Sequence, residues 1–365
     1  MHKHRLMLRT CLGAAAGLLL LAGTALAGDS GVAQGKTSGD GIALSNSYAG
    51  NTWRQQMLKT WDAATGTALS QHVIAKQRVV NSNNSAPQQE SQIGDLILQS
   101  WNAIVIDAAS PTALNGVIKQ ACDAKITVVV FDSLATAPCA TKVAYNYVSM
   151  GVQEVDFVAK ALGGKGNVLE IRGIAGTSVD DDIHQGILDE LKKYPDLKLV
   201  GSVHGNWTQS IAQREVAGIL PTLPPVAAIV TQGGDGYGAY EAFKAAGRPT
   251  PLIIMGNRQD ELALWKQLDQ ETKGGYHTMS ISSAPGVASI AFWVAQQVLA
   301  GKQVPNTVEV PLLKITQEDR DQWLAATPEG GVATPVYTQD WTAKLIDANA
   351  GHTALPASPP PGGGS

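Results

Sequence analysis

The feature that most constrains this chain is a rhythm. Short apolar runs of strand character recur along it, and helical patterns stand between them. Strands are predicted at Gly41–Leu44, His72–Ala75, Ala103–Ile106, Thr127–Phe131, Asn167–Ile171, Lys198–Val203, Ala227–Thr231 and Leu252–Met255. Helical patterns cover, among others, Asn51–Ala64, Ser110–Ala124, Val152–Leu162, Asp180–Lys193, Thr208–Leu220 and Tyr237–Ala246. Strand alternating with helix means βαβ units and a parallel sheet covered on both faces. The cycle appears twice, split near Tyr145. The expected fold class is therefore α/β, with two similar doubly wound parallel-sheet lobes.

The N terminus sets the compartment. Lys3, Arg5 and Arg9 precede the apolar run Leu12–Leu21, no acid appears before Asp29, and Ala25-Leu26-Ala27 is a small-x-small cleavage site. Residues 1–27 read as a secretory signal peptide. Their apolar core is shorter than the ~20 residues of a membrane span, and no later stretch approaches that length. Cys11 precedes that core and is badly placed for a lipid anchor. The mature chain is expected to start near Gly28, in the periplasm, with length enough for two lobes. Without the three basic residues of the signal, 24 Lys and Arg face 31 acids, a net charge near −7. That argues against nucleic acid as partner, which requires a clustered basic face. Cys122 and Cys139 remain, one just before a predicted strand and one just after it, and are expected to form a disulfide in an oxidising compartment. The alternative is two buried free thiols.

In doubly wound sheets ligands bind beyond the carboxyl ends of the strands, so the residues there carry the functional reading. After the first strand, "SNSYAGNTWRQQM" brings Asn51, Trp53 and Arg54. After Phe131 come Asp132 and Ser133, and after Ile171 come Thr177, Ser178 and Asp180–Asp182. "SVHGNWTQS" adds Asn206, Trp207 and Gln209, "VTQGGDGYG" adds Gln232 and Asp235, and "IMGNRQD" adds Asn257 and Arg258. Each lobe thus offers one tryptophan beside amide, carboxylate or guanidinium groups. That combination suits a sugar or polyol, whose C–H face packs on a ring while its hydroxyls meet planar partners.

Plainer readings compete at several positions. Trp53 with Arg54 also fits a packing anchor. "VDDD" fits a helix start, capped by Thr177 or Ser178 with carboxylates at the positive helix end. "GGDGYG" lacks dinucleotide-loop spacing, and "GVAQGKT" at 31–37 is one residue short of a phosphate loop and reads as a flexible leader. The histidines His72, His184, His204, His277 and His352 show no metal-ligand spacing, so no metal site is expected. Trp61, Trp265, Trp293, Trp323 and Trp341 read as packing. There is no G-x-S-x-G elbow, and neither cysteine has a fitting histidine context, so no catalytic residue and no cofactor are expected. "PASPPPGGGS" closes the chain, and 350–365 is expected to be a disordered tail.

Several stretches together resemble the ribose-binding type of periplasmic sugar-binding protein, the soluble receptor of an ABC importer. They are "NVLEIRGIAGTS" (167–178), "VVVFDS", "VAAIVTQGGDGYGAYEAFKAAG" and "SSAPGVASIAFWVAQQVLAGK", and the similarity runs from about 41 to 315. The resemblance implies a type I periplasmic binding protein, two lobes joined by a three-crossing hinge with ligand trapped between them. It implies a first lobe of 40–145 plus 283–309 and a second of 146–282 plus 310–346. It places ligand contacts at Asn51, Trp53, Arg54, Asp132, Ser133, Asp181, Trp207, Asp235, Asn257, Arg258 and Ser282. Against the family pattern, Ser133, Asp181, Gln209, Arg258 and Ser282 replace other residues, so the hydroxyl readout differs and ribose itself is not the expected ligand. The implied function is binding of a small sugar or polyol by a monomer, with delivery to an inner-membrane ABC permease and ATPase complex. A ligand-presenting receptor for chemotaxis or a sensor kinase, and less so a sugar-modifying enzyme, are the alternatives.

Overall fold

The computed structural model describes residues 36–361. The signal peptide expected at 1–27, Cys11, most of the expected leader and the final four residues lie outside the described residues. The leader's last residue, Thr37, is fully buried: its Oγ1 donates to the Val73 carbonyl at 2.7 Å and accepts from Gln296 at 3.0 Å.

In chain order the first lobe opens with β1 (Gly41–Asn46), α1 (Thr52–Ser70), β2 (Lys76–Asn81), α2 (Ala86–Leu98), β3 (Ala103–Asp107), α3 (Asn115–Asp123), β4 (Thr127–Phe131) and β5 (Thr141–Tyr145). The second holds α4 (Tyr147–Leu162), β6 (Lys165–Arg172), α5 (Ser178–Leu191), β7 (Asp196–His204), α6 (Gln209–Ile219), β8 (Ala228–Thr231), α7 (Gly236–Ala245), β9 (Leu252–Ile253), α8 (Gln259–Glu271) and β10 (Ser280–Ser282). The chain then continues through α9 (Val287–Leu299), β11 (Thr307–Val310), β12 (Leu313–Ile315), α10 (Arg320–Ala326) and α11 (Gln339–Gly351).

The first sheet runs β11-β5-β4-β3-β1-β2 and the second β7-β6-β8-β9, with every neighbouring pair parallel. Both are doubly wound, and burial shows why the strands are apolar on each face. Ile42 and Leu44 join the core beneath α1 and α9, whereas Ala43 between them joins a second cluster beneath α2 and α3. Alternate residues of β3 and β4 divide in the same way. In the second lobe the helices α4 and α5 close to backbone contact at glycine: a Cβ on Gly186 would stand 2.1 Å from the Val148 carbonyl oxygen.

One strand differs from expectation. His72–Ala75 is no strand: Val73 donates its N–H to the Ala68 carbonyl, closing the end of α1, and Val73 and Ile74 are buried there. The ladder beside β1 starts at Lys76 instead, on a half-exposed edge strand.

Three crossings join the lobes, between β5 and α4, between β10 and α9, and between β11 and β12, which pairs antiparallel with β10. The chain then returns once more. After α10 packs on α8, residues 327–338 lead to α11, which packs on α9 and β11 of the first lobe. The expected assignment of 310–346 to the second lobe thus differs from the observed packing at its last helix. Residues 350–361 also differ from the expected disorder. The first two end α11, Leu355 packs on the main core cluster, and the Trp341 indole donates to the Ala357 carbonyl at 3.0 Å. A proline-rich segment needs no ladder to lie along a surface if a side chain and a carbonyl find partners, and here they do.

Cys122 and Cys139 form a disulfide across a separation of 17 residues, bracing the segment that follows Asp132. In the chain-entropy picture a loop this short contributes about 3 kcal/mol. Unreduced protein is expected to give a single bridged peptide by mass spectrometry, and the double Cys→Ser variant to melt lower by several degrees. Two freely alkylated thiols, or an unchanged melt, would remove the bridge from the account.

Candidate functional site

A cavity of about 40 Å³ lies between the lobes at the carboxyl ends of both sheets. From the first lobe, Asn51, Trp53 and Arg54 reach it from the start of α1, where Asn51 also caps the helix by accepting the Arg54 N–H at 2.8 Å. Asp132 reaches it from the end of β4, in the left-handed region at φ 55°. An aspartate held there is strained, as backbone at functional sites often is.

Arg54 is the electrostatic centre of this wall. It is buried, pairs with the fully buried Asp107 at the end of β3, and lies 3.4 Å from Asp132. Its guanidinium also covers the Trp53 ring, 5.2 Å from the centroid. Burial pushes the Asp132 carboxyl up while Arg54 pulls it down, and burial lowers the Arg54 pKa. Tyr147 donates its hydroxyl to Asp132, and burial together with that carboxylate holds the phenol well above its ordinary range. Tyr147 is thus a fixed donor, and Asp132 keeps acceptor capacity facing the cavity.

The second lobe supplies Trp207, with Asn206 and Trp207 both left-handed at φ 54° and 53°. The indole lies against backbone: a Cβ on Gly173 would be 2.2 Å from the ring. Arg258 Nη2 donates to the Trp207 carbonyl at 2.5 Å, and the guanidinium rests on Gly234, where a Cβ would meet it at 2.6 Å. Gln232 is locked by donating to Asp180 Oδ1 at 2.9 Å and accepting the Gly173 N–H at 2.8 Å.

Of the predicted residues, Asn51, Trp53, Arg54, Asp132, Trp207, Asn257, Arg258 and Ser282 line one cavity. Three others do not. Asp181 points outward, its side chain 64 % exposed and 3.5 Å from Arg172. Its neighbour Asp180 turns inward, bridging Arg172 at 2.6 Å and the Gly173 N–H at 3.0 Å, with Thr177 as the N-cap. One position on a helix is a turn of ~100°, which separates the two. Asp235 is fully buried behind the wall, where burial raises its carboxyl to about 8 against the pull of Arg258 and the Trp207 and Thr208 amides. Glu261 beside it is raised to about 7, again by burial. Ser133 is buried one residue past Asp132, and its carbonyl accepts the Ala108 N–H at 2.8 Å.

The cavity also includes Tyr147, Val179, Gln232, Gly233, Gly234 and Ser283, outside the predicted set. Gln232 was visible as a strand-end residue, and Ser283 adjoins Ser282. Tyr147 stands two residues past the split between the two cycles, a position that marks a crossing. Among the described residues no cluster of His, Cys, Asp or Glu is arranged to hold a metal ion, and no helix is long and apolar enough to cross a membrane.

Two wound lobes enclosing a small polar cavity between two indoles define the class: a binding protein that traps a ligand between its lobes. The chain belongs to the periplasmic binding protein domain family, whose profile matches residues 42–303. A crystal structure of an ABC transporter solute binding protein from Thermobispora bispora is 35 % identical, with a TM-score of 0.83, over 88 % of this chain and 99 % of that one. The xylitol-binding protein of Mycolicibacterium smegmatis is 28 % identical over 66 % of this chain and 68 % of its own length. The ribose import binding protein of Bacillus subtilis is 24 % identical over 66 % and 77 %. The family and these relatives are binding proteins, not enzymes.

Proposed function

We propose that this protein binds a small sugar or polyol between its lobes outside the inner membrane and delivers it, as a monomer, to an ABC permease and its ATPase. The observation that carries the reading is the cavity shared by both lobes, with Trp53 and Trp207 in its walls and planar polar groups of Arg54, Asp132, Asn257 and Arg258 around it. The names of the relatives, a xylitol binder and ribose import proteins, support the same class. The first lobe comprises 40–145 with 283–309, joined by α11, and the second comprises 146–282 with 310 to about 333. A ligand shifts the lobes toward closure only if it binds the closed form better, so contacts from both lobes are required.

A thermal-shift screen of sugars and polyols tests this reading. A specific ligand at a hundredfold excess over Kd stabilises by ~2.7 kcal/mol, a clear rise in melting temperature. No rise with any sugar or polyol would reject it.

Closure has a candidate latch. The Leu134 N–H, on the disulfide-braced segment of the first lobe, donates to Ser178 Oγ of the second at 3.1 Å. Ser178 lies outside the cavity wall. Ser178→Ala is expected to weaken binding about fivefold, the worth of one hydrogen bond, while leaving the melt of unliganded protein unchanged. Calorimetric titration beside thermal melts reads both.

A further inference from the structure

Resting on the reading above, we infer that Tyr145 is a positioning residue of the hinge: together with Thr334 it fixes the second crossing, and with it the angle at which the two cavity walls meet. The residues of that crossing, Ser283 to Gly286, lie between β10 and α9 and belong to no strand. Side chains take the place of a ladder there. The Tyr145 hydroxyl donates to the Ala284 carbonyl at 3.0 Å and accepts the Ala284 N–H at 3.1 Å. Such an exchange of both bonds is what two facing residues of an antiparallel pair make; here one phenol makes it. Two residues on, the Gly286 N–H donates at 2.9 Å to Thr334 Oγ1, on the segment that returns to the first lobe.

The place of this tie gives it its reach. Tyr145 ends β5, where the first crossing begins, so its hydroxyl joins the first crossing to the second. Ser283, next to Ala284, holds one group from each lobe. Its carbonyl accepts the Trp53 indole N–H at 3.0 Å and Asn257 Nδ2 at 3.3 Å. The Tyr145 ring also packs beside Tyr147, with centroids 5.7 Å apart, and Tyr147 donates to Asp132. Trp53, Asn257 and Tyr147 all line the cavity, and all take their places from what Tyr145 holds. Tyr145 and Ala284 are buried, and burial keeps the phenol protonated, well above its ordinary range. The hydroxyl is therefore donor and acceptor at every working pH.

Without the hydroxyl, the Ala284 N–H stays buried with its acceptor gone, and the crossing shifts to relieve it. The first and second crossings then turn separately, and the unliganded lobes sample wider angles. Binding weakens by the fraction of molecules that reach the closed arrangement. The fold supplies a matched control for lost stability. Tyr276 makes the same reciprocal pair inside the second lobe, donating to the Pro251 carbonyl at 3.0 Å and accepting the Ile253 N–H at 3.0 Å. Tyr276→Phe removes equivalent bonds without touching a crossing.

Small-angle X-ray scattering of the unliganded parent, Tyr145→Phe, Thr334→Val and Tyr276→Phe, well below their melts, reads the inference without any ligand. Tyr145→Phe is expected to show a larger radius of gyration than the parent, and Thr334→Val a smaller change of the same sign. Tyr276→Phe is expected to keep the parent profile, although both tyrosine variants melt lower. Calorimetric titration with xylitol, D-ribose and D-glucose adds the affinity. A probe that binds the parent is expected to bind Tyr145→Phe at least about fivefold more weakly, and Tyr276→Phe within about twofold of the parent. Parent-like scattering from Tyr145→Phe, or from Thr334→Val should Tyr145→Phe not fold, would overturn the inference. So would a Tyr276→Phe profile widened as much as that of Tyr145→Phe. A widened Tyr145→Phe profile in a protein that no sugar or polyol stabilises would support the hinge role and overturn the sugar-or-polyol reading.

Discussion

Arg54→Ala is expected to abolish measurable ligand binding and to lower the melting temperature by roughly 6–12 °C. The second effect departs from what a pocket-wall residue exposed in the open form would do. Arg54 is 6 % exposed and is the cation facing Asp107, which is fully buried, and Asp132. Removing one partner of a buried ion pair leaves an uncompensated charge and costs ~3–5 kcal/mol, at a few degrees per kcal/mol for a chain of this size. The pH dependence gives the cause away. In the variant the buried Asp132 carboxyl, already raised by burial, loses the Arg54 charge that pulls it down, so the folded state binds the extra proton and stability returns as pH falls. Arg54→Ala with Asp107→Asn is expected to recover part of the melting temperature and none of the binding. A single variant that melts like the parent would show that Arg54 carries no buried charge balance.

The second large effect separates two tryptophans. Trp207→Ala is expected to weaken binding at least tenfold, ~1.4 kcal/mol, because the ligand loses an apolar surface held in place by Gly173. The unliganded melt should barely move, since the ring is half-buried at the cavity edge and the strained backbone remains. Trp207→Phe keeps a flat ring and should keep most of the affinity. Trp61→Ala should do the reverse. That side chain is fully buried against Phe292, with ring centroids 5.5 Å apart, so its loss costs ~3–5 kcal/mol of stability. Its folded fraction should bind normally.

How much of this was legible in the sequence follows from which forces act locally. The central strands were legible because a strand buried on both faces must be apolar throughout, as Ala103–Ile106 and Thr127–Phe131 are. β5, β10, β11 and β12 were not: they run three to five residues and carry no long apolar stretch. His72–Ala75 misled because burial beneath a helix end produces the same apolar run as a strand. At the site, the strand-end rule found Trp53, Arg54, Asp132, Trp207 and Arg258, since chain position alone brings them to the cavity. Which neighbour faces inward was beyond it. Asp180 and Asp181 differ by one helical step, and Asp235 sits behind Arg258 rather than in front of it. The burial of Arg54 depends on Asp107, a residue 53 positions away that carries no signal of its own. The proline-rich tail read as disordered because composition cannot register Leu355 packing on the core or the Ala357 carbonyl accepting from Trp341.

The central claim is that two lobes close on a small ligand, and small-angle X-ray scattering tests it most directly. Unliganded protein should show a larger radius of gyration than this structure, in which Leu134 and Ser178 already join the lobes. Saturation with the ligand that calorimetry identifies should bring the scattering profile to that of this structure. An unchanged profile at confirmed saturation would contradict the account.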